Sequence, residues 1–273
     1  MTLPVQDALA VRRVRHPLKL RQLQVRRVEP LGARRVCITL AGDDLAGFVS
    51  EGFDDHIKVF FPAPGETLPR LPALGPDGSP LPGDATARPL ARDYTPRRFD
   101  PQRGELDIEF ELHGDGPASS WAAQAQAGQH LAIGGPRGSF IVPTAFDWHL
   151  LIGDGSALPA IARRLDELPA GRRALVVLDL ADADGVELDS AAEIELHVVR
   201  RAAGDTGVDA LLTVLRALEL PPGEGYAWAA GELAQVQAAR AHLLAERGLD
   251  KARIRAASYW KRGASASHTT LDD

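Results

Sequence analysis

The chain has 273 residues, 37 acidic and 31 basic, for a formal charge of −6. That length suits two compact domains, and a mildly acidic balance gives no reason to expect nucleic acid as a partner. The single cysteine, Cys37, excludes internal disulfides, cysteine-held iron–sulfur clusters and multi-thiolate zinc sites. No apolar run reaches membrane-spanning length and no secretory leader is visible, so no membrane insertion is expected and the cytoplasm is the expected compartment.

Residues 1–16 carry Arg12, Arg13 and Arg15 with few acids, and read as a flexible basic arm. From Leu18, apolar and polar residues alternate through Arg26, the signature of a half-buried strand. Further strands are expected at Ala33 to Leu40, where Cys37 reads as an inert thiol, and at His56 to Phe61, Arg92 to Arg98, Glu105 to His113 and Gln129 to Gly134. About six strands suit a small antiparallel barrel over residues 17–145. Residues 62–89 are rich in proline and glycine, and this loop is too long for an ordinary connection. It is expected to be partly mobile rather than a lid.

Three pieces of this half carry chemistry. In Arg92-Asp93-Tyr94-Thr95, an extended segment lets Arg92 fork onto a phosphate, Tyr94 lie against a flat heteroaromatic and Thr95 hydrogen-bond its polar edge. Taken alone, the segment reads sooner as a cation beside a turn on an edge strand. After the strand ending at His113, Gly116 and Pro117 suit a turn into a helix. The small Ala118 and Ser119 let a ligand approach backbone N–H groups, as a pyrophosphate does. The third piece, Gly134-Gly135-Pro136-Arg137-Gly138-Ser139, is a glycine turn with one arginine.

From residue 146 the pattern becomes strand, helix, strand, helix. Buried strands are expected at Trp148 to Ile152, Ala174 to Leu180, Ile194 to Val199, Tyr226 to Ala230 and Ile254 to Ala257. Helices are expected at Leu158 to Leu168, Val208 to Leu218 and Glu232 to Arg247, the last stopped by Gly248. This alternation implies a parallel sheet, and a ligand then sits at the carboxyl ends of its strands. The turn Gly153-Asp154-Gly155-Ser156 is where a dinucleotide should lie, although it lacks the third glycine of the usual fingerprint. Residues 264–273 read as a disordered polar tail.

These pieces, in this order, resemble the siderophore-interacting protein family, a branch of the ferredoxin-reductase-like flavoproteins. The resemblance rests on the Arg-x-Tyr-Thr strand, the His-Gly…Gly-Pro-Ala…Trp-Ala turn-helix, the Gly-Pro-Arg-Gly-Ser turn, Asp55 to Pro62 and the C-terminal Ser258-Tyr259-Trp260-Lys261-Arg262-Gly263. It implies an N-terminal antiparallel FAD-binding β-barrel followed by a C-terminal Rossmann-like α/β domain, residues 146–263, for NAD(P)H. FAD contacts are then expected from Arg92, Tyr94, Thr95, His113, Gly116, Pro117, Ala118, Ser119, Gly135, Arg137 and Ser139. Nucleotide contacts are expected from Asp154, Gly155, Ser156, Arg200, Arg201, Gly231 and Glu232. Arg200 and Arg201 can clamp a 2′-phosphate, which favours NADPH over NADH, whereas Asp182 and Asp184 can face the ribose and repel one.

The implied activity is ferric-siderophore reduction. Nicotinamide gives hydride to flavin, reduced flavin passes electrons singly, and chelated Fe(III) becomes the more weakly held Fe(II). Lys58, Arg137 and Lys261 are the candidate cations for an anionic ferric siderophore. No catalytic acid or base is needed, and the eight histidines show no metal-ligand spacing. Tyr259 and Trp260 can cover the flavin by analogy with terminal aromatics elsewhere. Three alternatives remain: ferredoxin as electron donor, a diaphorase with another acceptor, and a flavin-containing siderophore carrier without turnover.

Overall fold

The computed structural model describes residues 8–75, 81, 89–112, 116–180, 186–200, 206–263 and 269–270. The chain divides into two units, Val11–Val142 and, discontinuously, Met1–Ala10 with Pro143–Asp273.

The first unit contains β1 (Arg12–Arg15), β2 (Leu20–Pro30), β3 (Arg35–Ala41), β4 (Ile57–Phe61), β5 (Leu90–Tyr94), β6 (Arg98–Asp100), β7 (Glu105–Glu111), β8 (His130–Gly134) and β9 (Gly138–Ile141), with one short helix, α1 (Pro117–Ala122). Seven of the strands form a curled antiparallel sheet in the order β5-β4-β8-β2-β3-β7-β6. Alternation places Leu23, Val25, Ile38, Leu40, Ile57, Val59, Ile108, Phe110, Leu131 and Ile133 on its inner face, all fully buried. Each such side chain contributes about 1.5–3 kcal/mol of burial. The remaining two strands, β1 and β9, pair antiparallel with Arg15 opposite Gly138. Part of the stretch expected as a flexible arm is therefore a strand. Its pairing with β9 fixes it although its side chains are mostly exposed.

The second unit has β10 (Trp148–Asp154), α2 (Leu158–Glu167), β11 (Arg173–Asp179), β12 (Glu193–Val198), α3 (Val208–Ala217), β13 (Gly225–Glu232), α4 (Leu233–Ala245), β14 (Ile254–Trp260) and β15 (Thr269–Thr270). The sheet order is β12-β11-β10-β13-β14-β15, parallel except for β15. Every residue of β10 is buried, as a central strand covered on both faces requires. The strand order reverses between β10 and β13, and a crevice at such a reversal is where ligands bind. Gly153 in β10 admits the close approach of α2: a Cβ there would lie 2.5 Å from the Ala157 Cβ and 3.1 Å from Ile161. Within the expected tail, Thr270 and Thr269 pair with Ala257 and Ser258.

Candidate functional site

Strand β5 carries the first cluster. Its register with β4 pairs Arg92 with Val59, Asp93 with Lys58 and Tyr94 with Ile57. Cross-strand partners share a face, so Arg92 and Tyr94 lie on the side of the buried Val59 and Ile57, and Lys58 and Asp93 on the other. Tyr94 packs 4.4 Å from the Phe110 ring and edge-on to Phe61, and burial raises its phenol pKa. Trp121 of α1 joins this aromatic group through Phe61. Arg92 spends Nη1 on the Ala91 carbonyl at 2.8 Å. Thr95 is 7% exposed, and among the described residues its hydroxyl takes no partner.

Helix α1 begins at Gly116 in an extended conformation, with Pro117 at its first position and no capping side chain. Ala118 and Ser119, both small, are buried in its first turn. His113 lies outside the described residues. The Gly134–Ser139 turn needs glycine at Gly135, where φ is +97°. A residue that motif reading overlooked holds this turn. Arg21, 5% exposed, donates to the carbonyls of Gly135 and Gly47, each at 3.2 Å, and of Lys19 at 3.3 Å. Desolvation lowers its pKa, and its guanidinium lies 5.2 Å from the Phe48 ring centroid.

Ser139, expected on the flavin, has its hydroxyl engaged within the unit. It donates to Asp55 Oδ2 at 2.6 Å, accepts from the Glu51 N–H at 3.1 Å and lies 2.8 Å from His16 Nε2. Asp55 also accepts from Ser50 and the Gly52 N–H, and burial raises its pKa. With its proton and a lone pair committed, Ser139 acts here as a brace for the turn. A flavin fits the rest of the set: a buried Thr95 whose hydroxyl takes no partner among the described residues, a turn of small residues into α1 at Gly116–Ser119 and a half-buried arginine on β5 with donors to spare.

In the second unit, the acids expected at the nucleotide accept hydrogen bonds from the unit itself. Asp154 accepts four hydrogen bonds: from the Ser156 N–H (2.9 Å) and hydroxyl (2.5 Å), the Glu232 N–H (3.0 Å) and the Trp260 indole N–H (2.8 Å). Burial, the largest influence, raises its pKa against these donors. Glu232 caps α4, accepting from the Ala234 and Gln235 N–H groups, and its other oxygen accepts from the Arg262 N–H at 3.2 Å. The two carboxylates thus hold the C-terminal signature against the ends of β10 and β13. Gly231 is required between them: its φ is +137° and a Cβ would lie 2.5 Å from Asp154 Oδ2. For a nucleotide phosphate the fitting feature is the Gly155–Ser156 turn into α2, a helix with no capping side chain. Arg200 is exposed after β12, while Arg201, Asp182 and Asp184 lie outside the described residues. At the end of β11, Asp179 is buried and accepts from the Gln235 side chain.

The three candidate cations differ in their surroundings. Lys58 Nζ donates to Asp93 Oδ1 at 2.7 Å. Arg137 and Lys261 are exposed, and among the described residues neither has a carboxylate partner. Tyr259 packs edge-on to Trp228, and Trp260 is 40% exposed with its N–H anchored. Burial pushes the Cys37 thiol up to about 12, so it is a protonated, unreactive group. Among the described residues no cluster could hold a metal ion, and no helix is long and apolar enough to cross a membrane.

Comparison with known proteins matches a siderophore-interacting FAD-binding domain model to residues 24–140 and a siderophore-interacting protein model to residues 146–263. The NADPH-dependent ferric-chelate reductase of Escherichia coli is 38% identical over 251 residues, 91% of this chain and 95% of that one. The ferric vibriobactin reductase of Vibrio cholerae is 34% identical over 247 residues, covering 86% and 89%. A crystal structure of a siderophore utilization protein from T. fusca superimposes with a TM-score of 0.83 at 39% identity, covering 94% and 98% of the two chains.

Proposed function

The chain belongs to the siderophore-interacting protein family, and on that premise we propose that it is a cytoplasmic, NAD(P)H-dependent ferric-siderophore reductase, with NADPH the preferred donor. What supports this most is the presence in one chain of an FAD-type barrel and a parallel α/β unit, each with a turn leading into a helix at the expected place. When bound, the nicotinamide and flavin supply a two-electron donor that discharges one electron at a time. The balance is one NADPH and two ferric chelates giving NADP⁺, a proton and two ferrous chelates. The chain's own residues bind and orient. Arg92 and the Ala118 N–H address the flavin's phosphates, Thr95 offers its hydroxyl to the ring's polar edge, and Tyr94 flanks it. Ser156 with α2, together with Arg200, addresses the nucleotide. Lys58, Arg137 and Lys261 supply positive charge for an anionic ferric siderophore. No side chain has to move a proton on the chelate, since one-electron reduction of Fe(III) requires none.

An anaerobic absorbance titration tests this. Yellow protein should bleach with NADPH more readily than with NADH. Adding a ferric siderophore with a ferrous-iron trap should restore the yellow as the ferrous complex forms. Bound flavin that neither nucleotide bleaches would replace the nicotinamide with ferredoxin as donor, or leave a siderophore carrier. Protein that takes up no FAD would overturn the reading.

A further inference from the structure

We propose that Asp93 is a specificity-determining residue that sets the range of chelate charge the enzyme accepts, acting as an exchangeable counter-anion for Lys58. The proposal rests on the reading of Lys58 as a chelate-binding residue. Lys58 and Asp93 stand directly opposite each other on β4 and β5, pinned between the pairs Ile57–Tyr94 and Val59–Arg92. Their charged atoms are 2.7 Å apart, with the side chains 50% and 30% exposed.

An ion pair this exposed is weakly held, because both partners keep much of their hydration. Its charges therefore remain available to a third ion. A polyanionic ferric chelate draws Lys58 away from Asp93 and has to bear the carboxylate's repulsion. A cationic ferric chelate meets Asp93 instead, with Lys58 turned toward water on its flexible stem. A lone lysine would favour anions only. The pair tempers that preference and lets chelates of opposite charge use one face of the sheet. Arg137 and Lys261 have no such carboxylate among the described residues, so this property belongs to the Lys58 strand pair.

The test compares NADPH-driven reduction of a trianionic ferric tris-catecholate with that of a cationic ferric tris-hydroxamate, read as the ratio of their kcat/KM values. Both reactions use the same bound flavin, so partial flavin loss cancels in the ratio. Asp93→Asn should raise the ratio of anionic to cationic chelate by about fivefold, the scale of an exposed pair. Asp93→Glu should restore it, and 0.5 M salt should shrink the difference, since the Debye length falls well below 10 Å there. Lys58→Met should lower the ratio. If Asp93→Asn leaves the ratio unmoved, or slows both chelates equally, while Lys58→Met lowers it, Asp93 is a structural partner only and the proposal is wrong. If Lys58→Met leaves the ratio unmoved, Lys58 does not bind the chelate and the proposal falls with that reading. A wild-type protein that reduces neither chelate would remove the reductase function itself.

Discussion

Asp154 acquires its role from partners that local sequence does not reveal. Beside a glycine turn, an aspartate reads as a nucleotide contact. Its donors at Glu232 and Trp260 are 78 and 106 residues away in sequence, and only the parallel sheet brings them together. The Gly-Asp-Gly-Ser turn was thus legible as a turn, but its carboxylate's task was not. Asp154→Asn replaces an acceptor oxygen with an N–H₂ group facing donors, and should cost roughly 1–3 kcal/mol in urea unfolding. Trp260→Phe, which removes the indole N–H along with part of a ring that is 40% exposed, should cost about 1 kcal/mol, most of it the lost hydrogen bond. If both lower stability and shift the emission of the remaining tryptophans alike, the network is as described. A second buried group sets acid sensitivity. His149 is 1% exposed, and burial lowers its pKa to about 3, so it stays neutral in the folded protein while the unfolded chain protonates near 6.5. The unfolded state therefore binds more protons below pH 6.5, and the folded state loses stability as pH falls from there toward 3. His149→Asn keeps a donor for the backbone bond to Thr144 but cannot titrate. Between pH 6.5 and 5, denaturant curves should show the wild type losing roughly 1–2 kcal/mol more than the variant.

Among the elements, alternation and helical spacing identified the strands with a buried face and the helices of the second unit to within a few residues. Strands β1 and β9 escaped for a physical reason. Arg12–Arg15 presents charge on both faces and buries nothing, so periodicity carries no signal there. Gly138–Ile141 follows so closely on a glycine turn that it reads as part of that turn. Pairing, which periodicity cannot sense, defines both. This changes the expected effect of truncation. A frayed basic arm could be removed without consequence. By contrast, β1 borders the Gly135–Ser139 turn, and His16 donates its N–H to the Arg137 carbonyl at 2.9 Å. Deleting residues 1–16 should lower flavin retention severalfold, measured as flavin absorbance per protein after gel filtration, while secondary structure persists by circular dichroism. Unchanged retention would mean that β1 does not support the turn.

For the molecule as a whole, the change in grammar near residue 146 made two architectures legible, because a barrel of half-buried strands and a parallel sheet whose central strands β10, β11 and β13 are buried on both faces impose different periods. The strand expected as buried at Ile194 to Val199 is instead an exposed edge. What sequence order could not disclose is that the second unit is not one continuous stretch. Leu9 is 6% exposed within it, and its carbonyl accepts from Arg253 at 3.4 Å. In the order of synthesis, the first described residues to leave the ribosome must wait for nearly the last. The barrel, meanwhile, is a stretch of chain inserted between two parts of the other unit. A gene fragment beginning at Pro143 therefore encodes that unit without the segment that contains Leu9.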